Sequence, residues 1–240
     1  MSSTNALLRF VQGFWEDHGE NGKPMQDASD YFLAPASTSL GGQVAVGVVA
    51  DSIAEIPRGD SASRIAVQTI EDSFLANPVS DPNRSIAAAI EAAHRAVLTR
   101  KSSNRSLAGI GSTATVAVMT GDRVFVGSVG DSRAYLVGPR GVKRLTKDHT
   151  WLQEARDAHR ISEAEAKVHP NRNTVKRYLG MNGDFSCDIS PTEHISPADS
   201  VLLCTDGLTD VLEENELTVV ATESPSSASA KLVDRHCPNS

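Results

Sequence analysis

The stretch STATVAVMTGDRVFVGSVGDSRAYLVGPRGVKRLT, residues 112–146, decides what kind of fold this chain adopts. β-branched and apolar residues alternate or run together through it, broken by turn chemistry at Thr120–Asp122 and Gly138–Gly141. That pattern predicts an antiparallel meander. Outward toward the N-terminus, ASDYFLAP (28–35) and QVAVGVVAD (43–51) read as strands, the second carrying Val44, Val46, Val48 and Val49. Between these and the meander lie two amphipathic helices. SASRIAVQTIEDSFLA (61–76) has Ser61 as a candidate N-cap, and SIAAAIEAAHRAVLTRK (85–101) is built from strong helix formers. Pro and Asn mark the loop NPVSDPNR (77–84) that separates them.

Toward the C-terminus, WLQEARDAHR (151–160) and SEAEAKVH (162–169) are charged and helix-like, and VLLCTD (201–206) returns as a strand. SPSSASAKLVDRHCPNS (224–240) holds one more short helix candidate. Strand runs and helices are thus segregated, which predicts an α+β fold and not a doubly wound βαβ order. Two antiparallel sheets packed face to face, flanked outside by helices, use these segments economically.

Composition bounds the function. The 240 residues are 40% hydrophobic and 22% charged, which fits one globular domain spanning 1–240. A net charge of −7 and a pI near 5.5 argue against a nucleic-acid partner or a polybasic membrane surface. The three cysteines, Cys187, Cys204 and Cys237, are widely spaced and form no C-x-x-C pair, so neither a disulfide framework nor a thiolate zinc site is expected. MSSTNALLRFVQGFW (1–15) lacks the core of a signal peptide, and no apolar run approaches the roughly 18 residues of a membrane span. The expectation is a cytoplasmic monomer.

Three strands end in an acid. VGVVAD closes on Asp51, VFVGSVGD on Asp131 and VLLCTD on Asp206, each followed by a small residue, Ser52, Ser132 or Gly207. A single aspartate after a strand is usually a turn or cap residue. Three with one grammar suggest carboxylates facing a common pocket. Burying an unpaired carboxylate costs several kcal/mol, so such a group is hydrogen-bonded, paired or bound to a cation. An all-oxygen site without His or Cys suits Mg²⁺ or Mn²⁺ better than zinc, and paired hard cations suit phosphoester hydrolysis.

Residues 111–150, ending in LTKDHT, together with HPNRNTVKRYLG (169–180) and CDISPTEHISPADSVLLCTDGLTDVLEENEL (187–217), resemble the bacterial branch of the metal-dependent protein phosphatase 2C family. VGDSRAYL, LTKDH and LLCTDGLTD occur in that family's order, and the likeness reaches back to QDA at 26–28. The resemblance implies a four-layer α-β-β-α sandwich with its metal site between the sheet ends. It implies that Asp51 bridges two ions of Mg²⁺ or Mn²⁺, that Asp206 ligates the first, and that Asp131 ligates a third. Asp27 would assist through water, and Ser52 would offer its backbone carbonyl. The family's nucleophile is metal-bound water, and its substrates are phosphoserine and phosphothreonine in proteins, with a Ser/Thr kinase or its substrates as partners.

The chain also departs from the family. Asp-Gly-Met-Gly-Gly-His becomes DSIAEI (51–56), which removes three glycines and sets Glu55 near the site. The phosphate-binding arginine falls on Gly22, leaving Lys23 as the nearest cation, without the bidentate fork of Arg. The family's C-terminal Asp-Asn pair and last strand have no counterpart before the chain stops at CPNS, so the domain is expected to be cut before that strand. Two readings follow: a working phosphatase, or an impaired phosphatase-like domain that binds a phosphoprotein or kinase without turnover. His149 and Trp151 read as packing residues, and Arg133 and Arg144 as braces of the meander.

Overall fold

The computed structural model describes residues 26–53, 62–103, 105–222, 227–228 and 231. Strands β1 (Asp27–Pro35) and β2 (Gln43–Asp51) pair antiparallel, and β3 (Ala114–Thr120) and β4 (Arg123–Val129) continue the sheet. The first sheet runs β1-β2-β3-β4-β7, with β7 (Asp188–Ile189) and β8 (Glu193–His194) both on the edge of β4. The second sheet runs β6-β5-β9, built from β5 (Arg133–Gly138), β6 (Gly141–Arg144) and β9 (Ser200–Cys204).

The two-residue period of the strands sorts their side chains between layers. Val44, Val46, Val48 and Ala50 of β2, with Val116 and Val118 of β3, pack against Ile70 and Phe74 of α1 (Ala62–Ala76) and Ile86, Ile90 and Val97 of α2 (Pro82–Ser103). Ala117, Val124 and Val126 point the other way and meet Ala134, Val201 and Leu203 of the second sheet. Tyr135 and Val137 then face outward under Leu212, Leu217 and Val220. The layers are therefore helices, sheet, sheet, and a thin cover of short helical turns that includes α5 (Asp206–Thr209) and α6 (Val219–Thr222). Both helical segments expected between the meander and the last strand form, as α3 (Trp151–Asp157) and α4 (Glu163–Val168).

One expectation needs correcting. Residues 112–146 do not form one meander: β3 and β4 belong to the first sheet and β5 and β6 to the second. The break falls at Gly130, whose φ of +100° is left-handed and whose missing Cβ would sit 2.5 Å from Thr113 Cγ2. Only glycine can turn there without strain or a clash, and the turn lets β5 pair with β9. The short β7 and β8 were not foreseen. Ser61, Gly22, Lys23, residues 54–56 and the CPNS end lie outside the described residues.

Candidate functional site

The acids come together because each terminates an element at the same end of the sandwich. Asp27 opens β1 and Asp51 closes β2, and the antiparallel register sets the two directly opposite each other. Asp131 follows the Gly130 turn, and Asp206 starts α5 immediately after β9. The apolar runs that precede Asp51, Asp131 and Asp206 carry those three acids inward.

The electrostatic consequence is large. Burial, then a hydrogen bond to Asp27, then the charges of Asp27, Asp206 and Asp131 push the Asp51 carboxyl up to about 9. Asp131 is pushed up to about 7, by burial first and then by Asp206 and Asp148. Burial, followed by the Asp210 and Asp27 charges, also raises Asp206. Left alone, Asp51 holds its proton at neutral pH.

A hydroxyl scaffold supports them. The Asp51 N–H donates to Thr113 Oγ1 at 2.9 Å, and the Thr113 N–H returns a bond to the Asp51 carbonyl at 2.8 Å. Thr113 Oγ1 in turn shares a 2.6 Å hydrogen bond with Ser132 Oγ, and Thr115 Oγ1 donates to the Ser132 carbonyl at 2.7 Å. Two strands of the first sheet are thereby tied to the residue next to Asp131. Thr205 Oγ1 donates to Asp27 Oδ2 at 2.8 Å, joining the second sheet's acid segment to the first.

Ser52 is held as well. Its Oγ accepts from the Ser63 N–H at 3.0 Å and donates to Ser63 Oγ at 3.0 Å, and its backbone bridges to Ser112. Among the described residues His159 is the one non-glycine with positive φ, so Ser52 sits in ordinary extended backbone and its Cβ strains nothing. The Gly-to-Ser departure carries no conformational penalty at this position.

The donor chemistry fits a hard divalent cation. The set is all oxygen, it is crowded with like charge, and a cation would offset the burial and the repulsion that raise Asp51 and Asp131. As the side chains stand, no three His, Cys, Asp or Glu of the described residues clasp a single point. The Asp27 carboxylate is turned toward Thr205 and Asp51.

Beside Asp131 and Asp206 opens a cleft of about 200 Å³, also lined by Arg133, Asp148, Arg156 and Arg172. Arg133 grips Asp148 with a fork, Nε to Oδ1 at 3.1 Å and Nη2 to Oδ2 at 2.7 Å, and Arg144 Nη2 bonds the same carboxylate. The two arginines are thus braces, as their sequence context suggests. His149 is buried, and Trp151 stacks on His169 with ring centroids 4.0 Å apart. Sequence reasoning missed the hydroxyl scaffold of Thr113, Ser132 and Thr205. It also missed Arg156 and Arg172 of the cleft, although Arg172 stands inside the HPNRN stretch already singled out.

Comparison with known proteins agrees with this fold. The model of the family described as protein phosphatase 2C matches residues 16–234. The serine/threonine phosphatase stp of Listeria monocytogenes is 30% identical over 174 residues, covering 71% of this chain and 69% of that protein. Among solved structures, the S. agalactiae serine/threonine phosphatase superposes with a TM-score of 0.82 at 22% identity, covering 92% of this chain and 90% of that one. The catalytic domain of the phosphatase PstP, in complex with two manganese ions, gives a TM-score of 0.69 at 22% identity over 87% of this chain and 89% of that one. A family match across most of the residues, joined to the same layered fold, leads to one statement: this chain belongs to the protein phosphatase 2C family.

Proposed function

We propose that the protein is a Mg²⁺- or Mn²⁺-dependent phosphatase that removes phosphate from phosphoserine and phosphothreonine in proteins. The observation that carries this reading is the Asp51 carboxyl, pushed up to about 9 among three further aspartates, with no lysine or arginine of the described residues paired to Asp51. A buried acid cluster of that kind is costly to keep and becomes useful when a cation occupies it. The serine/threonine phosphatase activity of the relatives points the same way.

Bound there, Mg²⁺ or Mn²⁺ would neutralise the acids and activate water for attack on phosphorus. Asp51 would bridge two ions, Asp206 would hold the first, Asp131 a third, and Asp27 would assist from the opposite strand. Ser52 would present its carbonyl from the bridge to Ser112. Thr113 and Ser132 would keep the Asp51 and Asp131 backbones in place through the ion exchange. Arg133 is already engaged by Asp148, so it steadies the cleft wall, and substrate phosphate would be met by other cations such as Lys23. The scattered cysteines and acidic charge support a cytoplasmic setting, with a kinase or its phosphorylated substrates as partners.

The second reading, a phosphoprotein-binding domain without turnover, draws on the acids' not clasping one point as they stand. Hydrolysis of a phosphothreonine peptide across a Mn²⁺ titration separates the two. Saturable turnover that EDTA and Asp51→Ala abolish is expected. Its absence up to millimolar Mn²⁺ from folded protein would sink the enzyme and leave the binding domain.

A further inference from the structure

We propose that His149 is a positioning residue for Asp131, acting through both polar groups of Gly130. The inference rests on the reading above, in which Asp131 holds a cation. His149 is 3% exposed, and its backbone N–H, its carbonyl and its Nδ1 all make hydrogen bonds. Its N–H donates to the Gly130 carbonyl at 2.9 Å, and its Nδ1 accepts from the Gly130 N–H at 3.1 Å. Gly130 is itself buried and stands where the chain leaves one sheet for the other, so no strand ladder supplies partners there. His149 supplies both, and Asp131 is the next residue.

The chemistry of the ring fixes its state. Because Nδ1 accepts, the ring is neutral and its proton sits on Nε2. Nε2 lies 3.0 Å from Asp188 Oδ2, and Asp188 Oδ1 accepts from Arg177 Nη1 at 2.8 Å. Asp188 is paired with Ser128 on the edge of β4, two residues before Gly130. The tautomer follows from the Gly130 N–H bond to Nδ1, and the nearby carboxylate charge favours a proton on the Nε2 side. Burial lowers the His149 pKa, in agreement with a neutral ring. The His149 carbonyl accepts from Lys176 N–H at 2.7 Å, which anchors the whole residue to the segment after the cleft.

A packing residue would need only volume at this place, and leucine would provide it. Leucine would leave the buried Gly130 N–H without a partner and free the turn that aims Asp131. Asparagine puts an amide oxygen where Nδ1 stands and restores that single bond. The two substitutions therefore separate filling from positioning.

The test uses the full chain with Mn²⁺ as the probe, counting bound ions by the paramagnetic resonance of free Mn²⁺, and following exchange of the Gly130 amide by NMR in EDTA. His149→Leu should weaken by about tenfold or more the Mn²⁺ site that Asp131→Asn removes, and leave the other sites within about twofold. His149→Asn should recover most of that loss. In EDTA the Gly130 amide should exchange at least about tenfold faster in His149→Leu than in wild type or His149→Asn. Unchanged exchange, or asparagine no better than leucine, overturns the proposal. Wild-type protein that binds no Mn²⁺ would overturn the metal reading instead, and the Gly130 exchange would still decide the clip. Should His149→Leu not fold, Asp188→Ala, at a half-exposed residue, removes the carboxylate that faces Nε2 and should likewise speed Gly130 exchange.

Discussion

Replacing Asp51 by Asn should make the metal-free protein more stable while removing its ability to hold a cation. Asp51 ionises ordinarily near 3.8, and burial with the Asp27, Asp206 and Asp131 charges pushes it up to about 9. The native state therefore keeps a proton that the unfolded chain releases, and stability falls as pH rises between the two values. At about pH 7.5 the cost has an upper bound of about 5 kcal/mol, from 1.36 kcal/mol for each pH unit above the unfolded pKa. Rotation of neighbouring carboxylates and entry of water reduce this to a gain of about 2 kcal/mol for Asn, which is isosteric and never charged.

For a chain of this length that gain is roughly 4–8 °C in Tm. Calorimetry in EDTA at about pH 7.5 and about pH 5 reads it, and at the lower pH the gain should shrink to about a third. Comparing variant with wild type at each pH cancels the titration of His94 and His149. A variant no more stable than wild type at pH 7.5, or a gain that ignores pH, would refute the electrostatic account of the site.

Gly130→Ala should cost about 2 kcal/mol or more in urea unfolding, because φ is +100° there and the new Cβ would meet Thr113 Cγ2 at 2.5 Å. The same variant should weaken Mn²⁺ binding at Asp131, whereas a purely local strain would leave it unchanged. Ile86→Ala, in the layer between α2 and the first sheet, should destabilise by about 2–5 kcal/mol and leave Mn²⁺ affinity within about twofold, since Ile86 is fully buried in the apolar cluster on the helix side of that sheet.

What was legible in the sequence is what local period and charge encode. The valines of QVAVGVVAD announce a strand because burial of Val44, Val46 and Val48 on one face needs a two-residue repeat. Asp51, Asp131 and Asp206 stand out because an acid after an apolar run is expensive, and the structure brings all three to one end of the sandwich with Asp27. The exchange between sheets was not legible. Gly130 looks like any glycine in a turn until Thr113, seventeen residues earlier, is placed beside it. Strands β7 and β8 are two residues each and too short to show a period. Thr113, Ser132 and Thr205 are common strand and turn residues whose role exists only in contacts made across the fold. Charge in the cleft is likewise a property of elements that meet only after folding, as Arg133, Arg156 and Arg172 show.

Direct binding of Mn²⁺ tests the central claim most simply, by calorimetric titration of wild-type protein and Asp51→Asn at about pH 7.5. The account predicts saturable binding of at least two ions to wild type and loss of that binding in a variant that remains folded and melts higher in EDTA. Wild-type protein that takes up no Mn²⁺ at millimolar concentration, or a variant that binds as wild type does, would contradict it.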